Sequence, residues 1–268
     1  LLVEIDPAAL PAAPDGTPAS EDFFEGALTP CGIGNVAAAT VVAYDSKALK
    51  GKPRSIADFF DVERFPGPRG LRRTPRTNLE WALIADGVSH EKVYEVLATR
   101  EGVDRAFRVM DRIKPHIEWW SLGEEAVRLL ETGRVVMTSA YNGRIYSAAQ
   151  RGESFEILWD QHVRFRDVLA IVKHTEHLEA ALRLVYFASS SSSLANQAMQ
   201  IPYGPLRRSS LERLPDEIRS HLPTAEPQFG QGFDSDPVWW GEHLSELRTR
   251  FERWADRPVM VPKDWPGR

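Results

Sequence analysis

The sequence predicts an α/β fold with mainly parallel strand pairing. Through the middle of the 268-residue chain, apolar runs of strand length alternate with stretches of helical periodicity. Residues 36–44, V-A-A-A-T-V-V-A-Y, are apolar on both faces, as a central strand is. Residues 131–144, E-T-G-R-V-V-M-T-S-A-Y-N-G-R, read as a helix end, a buried strand over 135–137 and a turn at Asn142-Gly143. Tyr141 then lies beyond the carboxyl end of a strand, where open α/β sheets meet their ligands. The competing reading is a half-buried core tyrosine.

Taken in order, residues 1–30 hold a short apolar start and a Pro/Ala-rich passage of surface loop and turns. Cys31 to Asn35, C-G-I-G-N, has no Gly-Lys-Ser/Thr after it, so it is an entry into the next strand and not a phosphate loop. Ser55 caps a short helix over 56–60, and the Pro/Gly cluster at 66–70 is a turn. Arg72, Arg73 and Arg76 precede a helix over 78–86; they fit either an anion site at its N-terminus or a solvated basic patch. Helices follow over 91–99 and 103–113, the second with Val103, Phe107, Met110 and Ile113 on one stripe. A strand at 117–120 leads to a helix at 124–130. Beyond the central stretch come a helix at 145–151 and strands at 155–159 and 164–172. Asp167 sits at the entrance of the latter, where a buried acid needs donors or a cation. The remaining elements are a helix at 178–187, a five-serine loop and cap at 189–193, a rigid turn presenting Tyr203, and a final helix over 242–254 preceded by Asp236 to Trp240.

Composition bounds the function. Hydrophobic residues at 43% and charged residues at 26% suit an ordinary globular protein, and a net charge of -5 argues against a nucleic-acid partner. No apolar run reaches the ~20 residues of a membrane span. Cys31 is the only cysteine, which excludes an intrachain disulfide or a thiolate metal cluster. The sequence opens Leu-Leu-Val, without Met or the basic start and apolar middle of a secretory signal, so a segment upstream is expected to have been removed or omitted. His174-Thr175-Glu176-His177 lacks the His-Glu-x-x-His spacing of a zinc site. Neither a Gly-x-Ser-x-Gly elbow nor a dinucleotide fingerprint occurs. No metal, cofactor or catalytic constellation is expected.

Several motifs together identify a family. These are L-E-W-A-L-I-A-D-G-V at 79–88, A-F-R-V-M-D-R-I-K-P-H-I-E-W-W at 106–120, L-L-E-T-G-R-V-V-M-T-S-A-Y-N-G-R at 129–144, R-D-V-L-A-I-V at 166–172 and Y-G-P at 203–205. Across residues 2 to about 254 the chain resembles the solute-binding proteins of ABC importers, specifically the spermidine/putrescine-binding group. The resemblance implies a two-lobed type II periplasmic-binding-protein-like fold that closes on its ligand about a hinge. It divides the chain into a first lobe of 1–36 and 168–213 and a second of 37–167 and 214–268, with hinge stretches near 34–38 and 165–169. It further implies a polyamine or related small amine as ligand, importer membrane subunits as partners, a monomeric state for the complete protein, and a periplasmic or cell-surface location.

By position, the resemblance sets Tyr141 where the family has a ligand-stacking tryptophan and Phe165 on a second aromatic wall. It sets Asp167 on the carboxylate that holds an ammonium group, Tyr203 and Trp240 on or beside further pocket positions, and Gly123 where a small hydroxyl residue is found. Aromatic faces and a carboxylate suit a cationic amine. Thr74 and Thr77 stand where the family has acids, with Arg73 and Arg76 alongside, which favours a zwitterion over a simple diamine. The family's first strands have no counterpart here, so the first lobe is expected to be incomplete. An α/β enzyme with its site in the same cleft, or a fold that binds nothing, are the alternatives.

Overall fold

A computed structural model of the chain describes residues 1–259. In chain order its elements are α1 (Ala19–Asp22), β1 (Leu28–Thr29), β2 (Gly32–Asp45), α2 (Ile56–Phe60), β3 (Arg69–Arg72), α3 (Asn78–Ala85), α4 (Val93–Leu97), α5 (Arg100–Ile113), β4 (Ile117–Trp120), α6 (Gly123–Glu131), β5 (Met137–Tyr141), α7 (Asn142–Gln150), β6 (Phe155–Leu169), α8 (Leu178–Ala188), α9 (Ser191–Gln200), β7 (Gly204–Pro205), α10 (Arg208–Leu211), α11 (Asp216–Arg219), β8 (Gly232–Asp234) and α12 (Pro237–Ala255). They form two compact units. The first comprises Leu1–Ala39 and Arg164–Gly230; the second comprises Thr40–Val163 and the described residues from Gln231 onward. Residues 214–230, assigned from sequence to the second lobe, fall in the first unit, and residues 260–268 of that assignment lie outside the described residues.

In the first unit, the opening half of β2 pairs antiparallel with β1 and with β7. Ile5, Phe23, Ile33, Val185, Leu194 and Leu206 are among its buried core residues. Arg207, fully buried, pairs with the Asp22 carboxylate and donates to the carbonyl oxygens of Ser189 (2.8 Å) and Pro11 (2.6 Å). Ser209 donates to the same carboxylate from its backbone nitrogen (2.9 Å) and its hydroxyl (2.5 Å), so this buried charge is paired and saturated. Helix α8 buries Val185 but leaves Leu184 and Phe187 exposed, so its apolar surface is wider than its packed face.

The sheet runs β4-β3-β5-β2-β6-β8, each member lying wholly or partly in the second unit. Strand β3 is parallel to both β4 and β5, while β2 runs antiparallel to β5, with Thr40 opposite Tyr141. The sheet is therefore mixed, a correction to the expectation of mainly parallel pairing. Burial of nearly every residue of β2 agrees with its two-faced apolarity. Gly70 pairs with Thr138, and a Cβ at Gly70 would lie 2.1 Å from the threonine hydroxyl, so the β3–β5 approach requires glycine there. Helix α5 buries Val103, Phe107, Met110 and Ile113, the stripe read from sequence. The entry to β3 is held by Arg69, which is fully buried. Its guanidinium donates to the carbonyl oxygens of Phe59 (2.8 Å), Gly67 (2.7 Å), Phe65 (2.6 Å) and Asp61 (3.2 Å). Burial pulls its pKa down to about 10, so it remains a cation at neutral pH.

Among the elements that differ from the sequence reading are these four. Asn142-Gly143 opens α7 instead of forming a separate turn. The strands expected at 155–159 and 164–172 are one continuous strand, with Gln161 at φ 54 inside it. The serine run starts a helix: the Ser190 hydroxyl caps the Ser193 backbone, and Leu194, Ala195 and Ala198 give α9 a buried stripe. The last helix begins at Pro237, five residues early, because Asp236 caps the backbone of Val238 and Trp239 (2.9 Å each) and Pro237 fits the first helical turn.

Arg69→Met would keep the volume and leave four carbonyl groups without their donor. The expected loss is about 3 kcal/mol or more of unfolding free energy. Urea unfolding measures it, and a loss within error of zero would show that these bonds do not organise the loop before β3.

Candidate functional site

Because β3, β4 and β5 are parallel, their carboxyl ends lie at one edge of the second unit. Arg72 stands opposite Trp120, and Tyr141 closes β5. Each strand end is followed by a helix N-terminus: Asn78 of α3, Gly123 of α6 and Asn142 of α7. Unpaired backbone N–H groups and aligned peptide dipoles make such an edge favourable for an anion. Helix α6 already carries a carboxylate there, since Glu125 accepts from the backbone of Ser121 (2.7 Å) and Leu122 (3.0 Å). Helix α7 has no acidic residue in its first turn.

Side chains add charge and shape to this edge. The Arg72 guanidinium carbon lies 5.9 Å from the Trp120 ring centroid and 5.8 Å from that of Tyr141, and the two rings meet edge to face. Buried Ser139 joins the strands beneath them, its hydroxyl oxygen accepting from the Arg72 backbone and the Trp120 indole (3.2 Å each). A Cβ at Gly123 would lie 3.0 Å from the Tyr141 ring, so the absence of a side chain there lets the ring sit over the start of α6. Arg73 is engaged with Asp256 (2.5 Å), which corrects the expectation that it is available to a ligand. Among the described residues, Arg72 and Arg76 have no ion-pair partner. The Arg76 guanidinium lies 5.6 Å from the Trp240 ring centroid.

The loop that carries these arginines is held from below. The Asn78 amide donates to the carbonyl oxygens of Arg72 (2.8 Å) and Thr74 (2.7 Å). Thr77 precedes α3 at φ 68 and ψ -43, a costly conformation for a β-branched residue. Thr74 and Thr77 are both partly exposed. Trp240, expected on or beside the pocket, is fully buried in the first turn of α12. Its indole donates to Oε1 of Glu80 (2.8 Å), which also accepts from the Tyr94 hydroxyl (3.1 Å). Glu80 is fully buried, and its Oε2 has no hydrogen-bond partner. Burial pushes its carboxyl up to about 7.

The other sequence candidates are in the first unit. Phe165 and Asp167 are alternate residues of β6 and so share one face of the strand. Phe165 is partly exposed and Asp167 exposed; local desolvation nevertheless raises the Asp167 carboxyl above the usual range, and no ion pair or hydrogen bond engages that carboxyl among the described residues. Tyr203 is partly exposed in the turn before β7, its backbone nitrogen bonded to the Ile201 carbonyl (2.7 Å). Sequence reasoning passed over Trp120, Ser139 and Glu80. For Glu80 a signal existed: Leu79, Trp81, Ala82 and Leu83 make α3 apolar almost all round, so the acid had no exposed face to occupy.

Comparisons with known proteins agree with this architecture. The family model described as bacterial extracellular solute-binding protein matches residues 4–225. The gamma-aminobutyric acid-binding protein of Pseudomonas aeruginosa is 40% identical over 257 residues, covering 96% of this chain and 71% of that protein. A binding protein of A. tumefaciens B6 solved with glucopine is 26% identical, with a TM-score of 0.86, over 95% of this chain and 78% of that one. A solved GABA receptor is 27% identical, with a TM-score of 0.84, over 97% and 77%. A spermidine/putrescine-binding protein of Streptococcus pneumoniae, 14% identical with a TM-score of 0.72 over 96% and 79%, shares the fold alone.

Thr77→Gly removes the penalty of a positive φ. It is expected to raise unfolding free energy by about 1 kcal/mol, the strain relieved less the backbone entropy that glycine adds to the unfolded chain. Thermal and urea unfolding report it; a destabilised variant would mean that the threonine side chain contributes more than its backbone costs.

Proposed function

We propose, on the premise that this chain belongs to the bacterial extracellular solute-binding protein family, that it captures a small ω-amino acid of the γ-aminobutyrate type for an ABC importer, outside the cytoplasmic membrane. Members of this family bind and deliver solutes and do not transform them. The observation that supports this ligand class is the Arg72 edge: a guanidinium without an ion-pair partner, framed by Trp120 and Tyr141 and adjoined by three helix N-termini. A carboxylate gains charge-assisted hydrogen bonds there, whereas a second ammonium group meets like charge. Arg72 and Arg76 are the proposed carboxylate partners. That Asp167 holds an ammonium group and that Phe165, Tyr141 and Tyr203 contact the ligand are proposals carried by the sequence resemblance alone.

The relative that is 40% identical binds γ-aminobutyrate by name, and a solved structure 27% identical is described as its receptor. The likeness to a polyamine-binding protein at 14% identity carries fold and not ligand. Titration calorimetry with γ-aminobutyrate, putrescine and spermidine decides between the classes. The zwitterion is expected to bind most tightly. Arg72→Ala and Asp167→Asn are each expected to cost about 1.5–3 kcal/mol of its affinity, the range for a hydrogen bond to a charged group. A diamine or triamine that outbinds every ω-amino acid would reject the proposal.

A further inference from the structure

Arg76 lies in the turn before α3 and Glu80 in the first turn of that helix. Both converge on Trp240. The Arg76 guanidinium lies over its ring, and Glu80 Oε1 takes its indole N–H at 2.8 Å. The same oxygen takes the Tyr94 hydroxyl, whose own oxygen accepts from the Asp236 backbone at 3.0 Å, the cap of α12. One buried carboxyl oxygen therefore ties α3, α4 and the start of α12 together. The second oxygen, Oε2, is buried and bonded to nothing. Burial favours the neutral acid, since an ionised Oε2 without a hydrogen-bond partner would leave charge in an apolar core.

We propose that Glu80 is a positioning residue: through Trp240 it sets the place of Arg76, and through its proton it tunes the affinity of this edge for a carboxylate. The inference rests on the proposed ligand reading for its affinity readout. No other charged group faces Glu80 among the described residues. From α4 it meets Tyr94; from α12, Trp240 and the backbone of Asp236, whose carboxylate caps its own helix. Helix α5 packs on α3 with Val103, Phe107 and Met110 buried, while Arg105 is spent on Asp86 at the far end of α3. From α2, Phe59 packs on Trp81.

The sign follows from linkage. The folded state raises the carboxyl from 4.5 to about 7, so Glu80 is neutral below that and charged above it. An ionised acceptor on the indole N–H makes the Trp240 ring more electron-rich, so the ring holds the Arg76 guanidinium more tightly and leaves it less available to a carboxylate ligand; affinity falls as pH rises through this value, and reciprocally the bound ligand holds the proton on Glu80. Neither end of γ-aminobutyrate titrates in this window.

The test is calorimetric titration with γ-aminobutyrate at about pH 6 and about pH 8, in wild type, Glu80→Gln and Arg76→Ala. Wild type is expected to weaken about two- to fivefold over that range, the size of a cation–π-scale displacement of Arg76. Glu80→Gln, which keeps an acceptor for Trp240 and Tyr94 but cannot ionise, is expected to give a flat profile. A Glu80→Gln profile that follows wild type overturns the inference. If Arg72→Ala and Arg76→Ala both leave the affinity as in wild type, the ligand reading fails instead. Indole fluorescence of the ligand-free protein gives a readout independent of any ligand. It is expected to change between the two pH values in wild type and not in Glu80→Gln, and an equal change in both overturns the coupling of Glu80 to Trp240.

Discussion

The candidate site depends on the parallel alignment of three short strands. Strands β4, β3 and β5 point the same way, so one edge collects their carboxyl ends and the N-termini of the helices that follow. The residues that permit this are few. Gly70 lets β3 and β5 approach, Arg69 gathers four carbonyl oxygens of the preceding loop, and Ser139 ties Arg72 to Trp120. Given that alignment, an anion-favouring edge follows from backbone geometry before any side chain is considered.

Beneath the edge lies a second layer with a different chemistry. Glu80 and Trp240 are fully buried and Tyr94 partly so, and their hydrogen bonds tie α3 and α4 to α12, distant in sequence. A buried acid is destabilising unless it does something that an apolar residue of the same size does not. Here it fixes the ring on which Arg76 rests. The two layers give a division of labour: Arg72 is placed by the sheet, and Arg76 by the helix core.

Much of this was legible in the chain, and what was not has physical reasons. The two-sided apolarity of residues 36–44 and the stripe of α5 each have one structural reading, and the structure has it. Tyr141 was correctly placed at a strand end, although the strand begins at Met137 and not at Val135. Helix α9 was hidden because serines read as loop; its signal was the Leu194, Ala195, Ala198 spacing after a capping Ser190. The burial of Trp240 in the first turn of α12 was hidden because the helix start was set too late, although Asp236-Pro237 is a start signal. Trp120 and Ser139 could not be singled out locally, since their meeting with Arg72 depends on the strand order. The arginine cluster was visible, but which member is engaged by Asp256 was not.

The central claim is that the Arg72 edge recognises a carboxylate. The most direct measurement compares the affinity of γ-aminobutyrate with that of its uncharged primary amide, in wild type and in Arg72→Ala. If the claim holds, wild type prefers the acid by about tenfold or more, and the preference collapses in the variant while amide binding changes little. A preference for the acid that survives intact in Arg72→Ala would contradict the account and place carboxylate recognition elsewhere in the molecule.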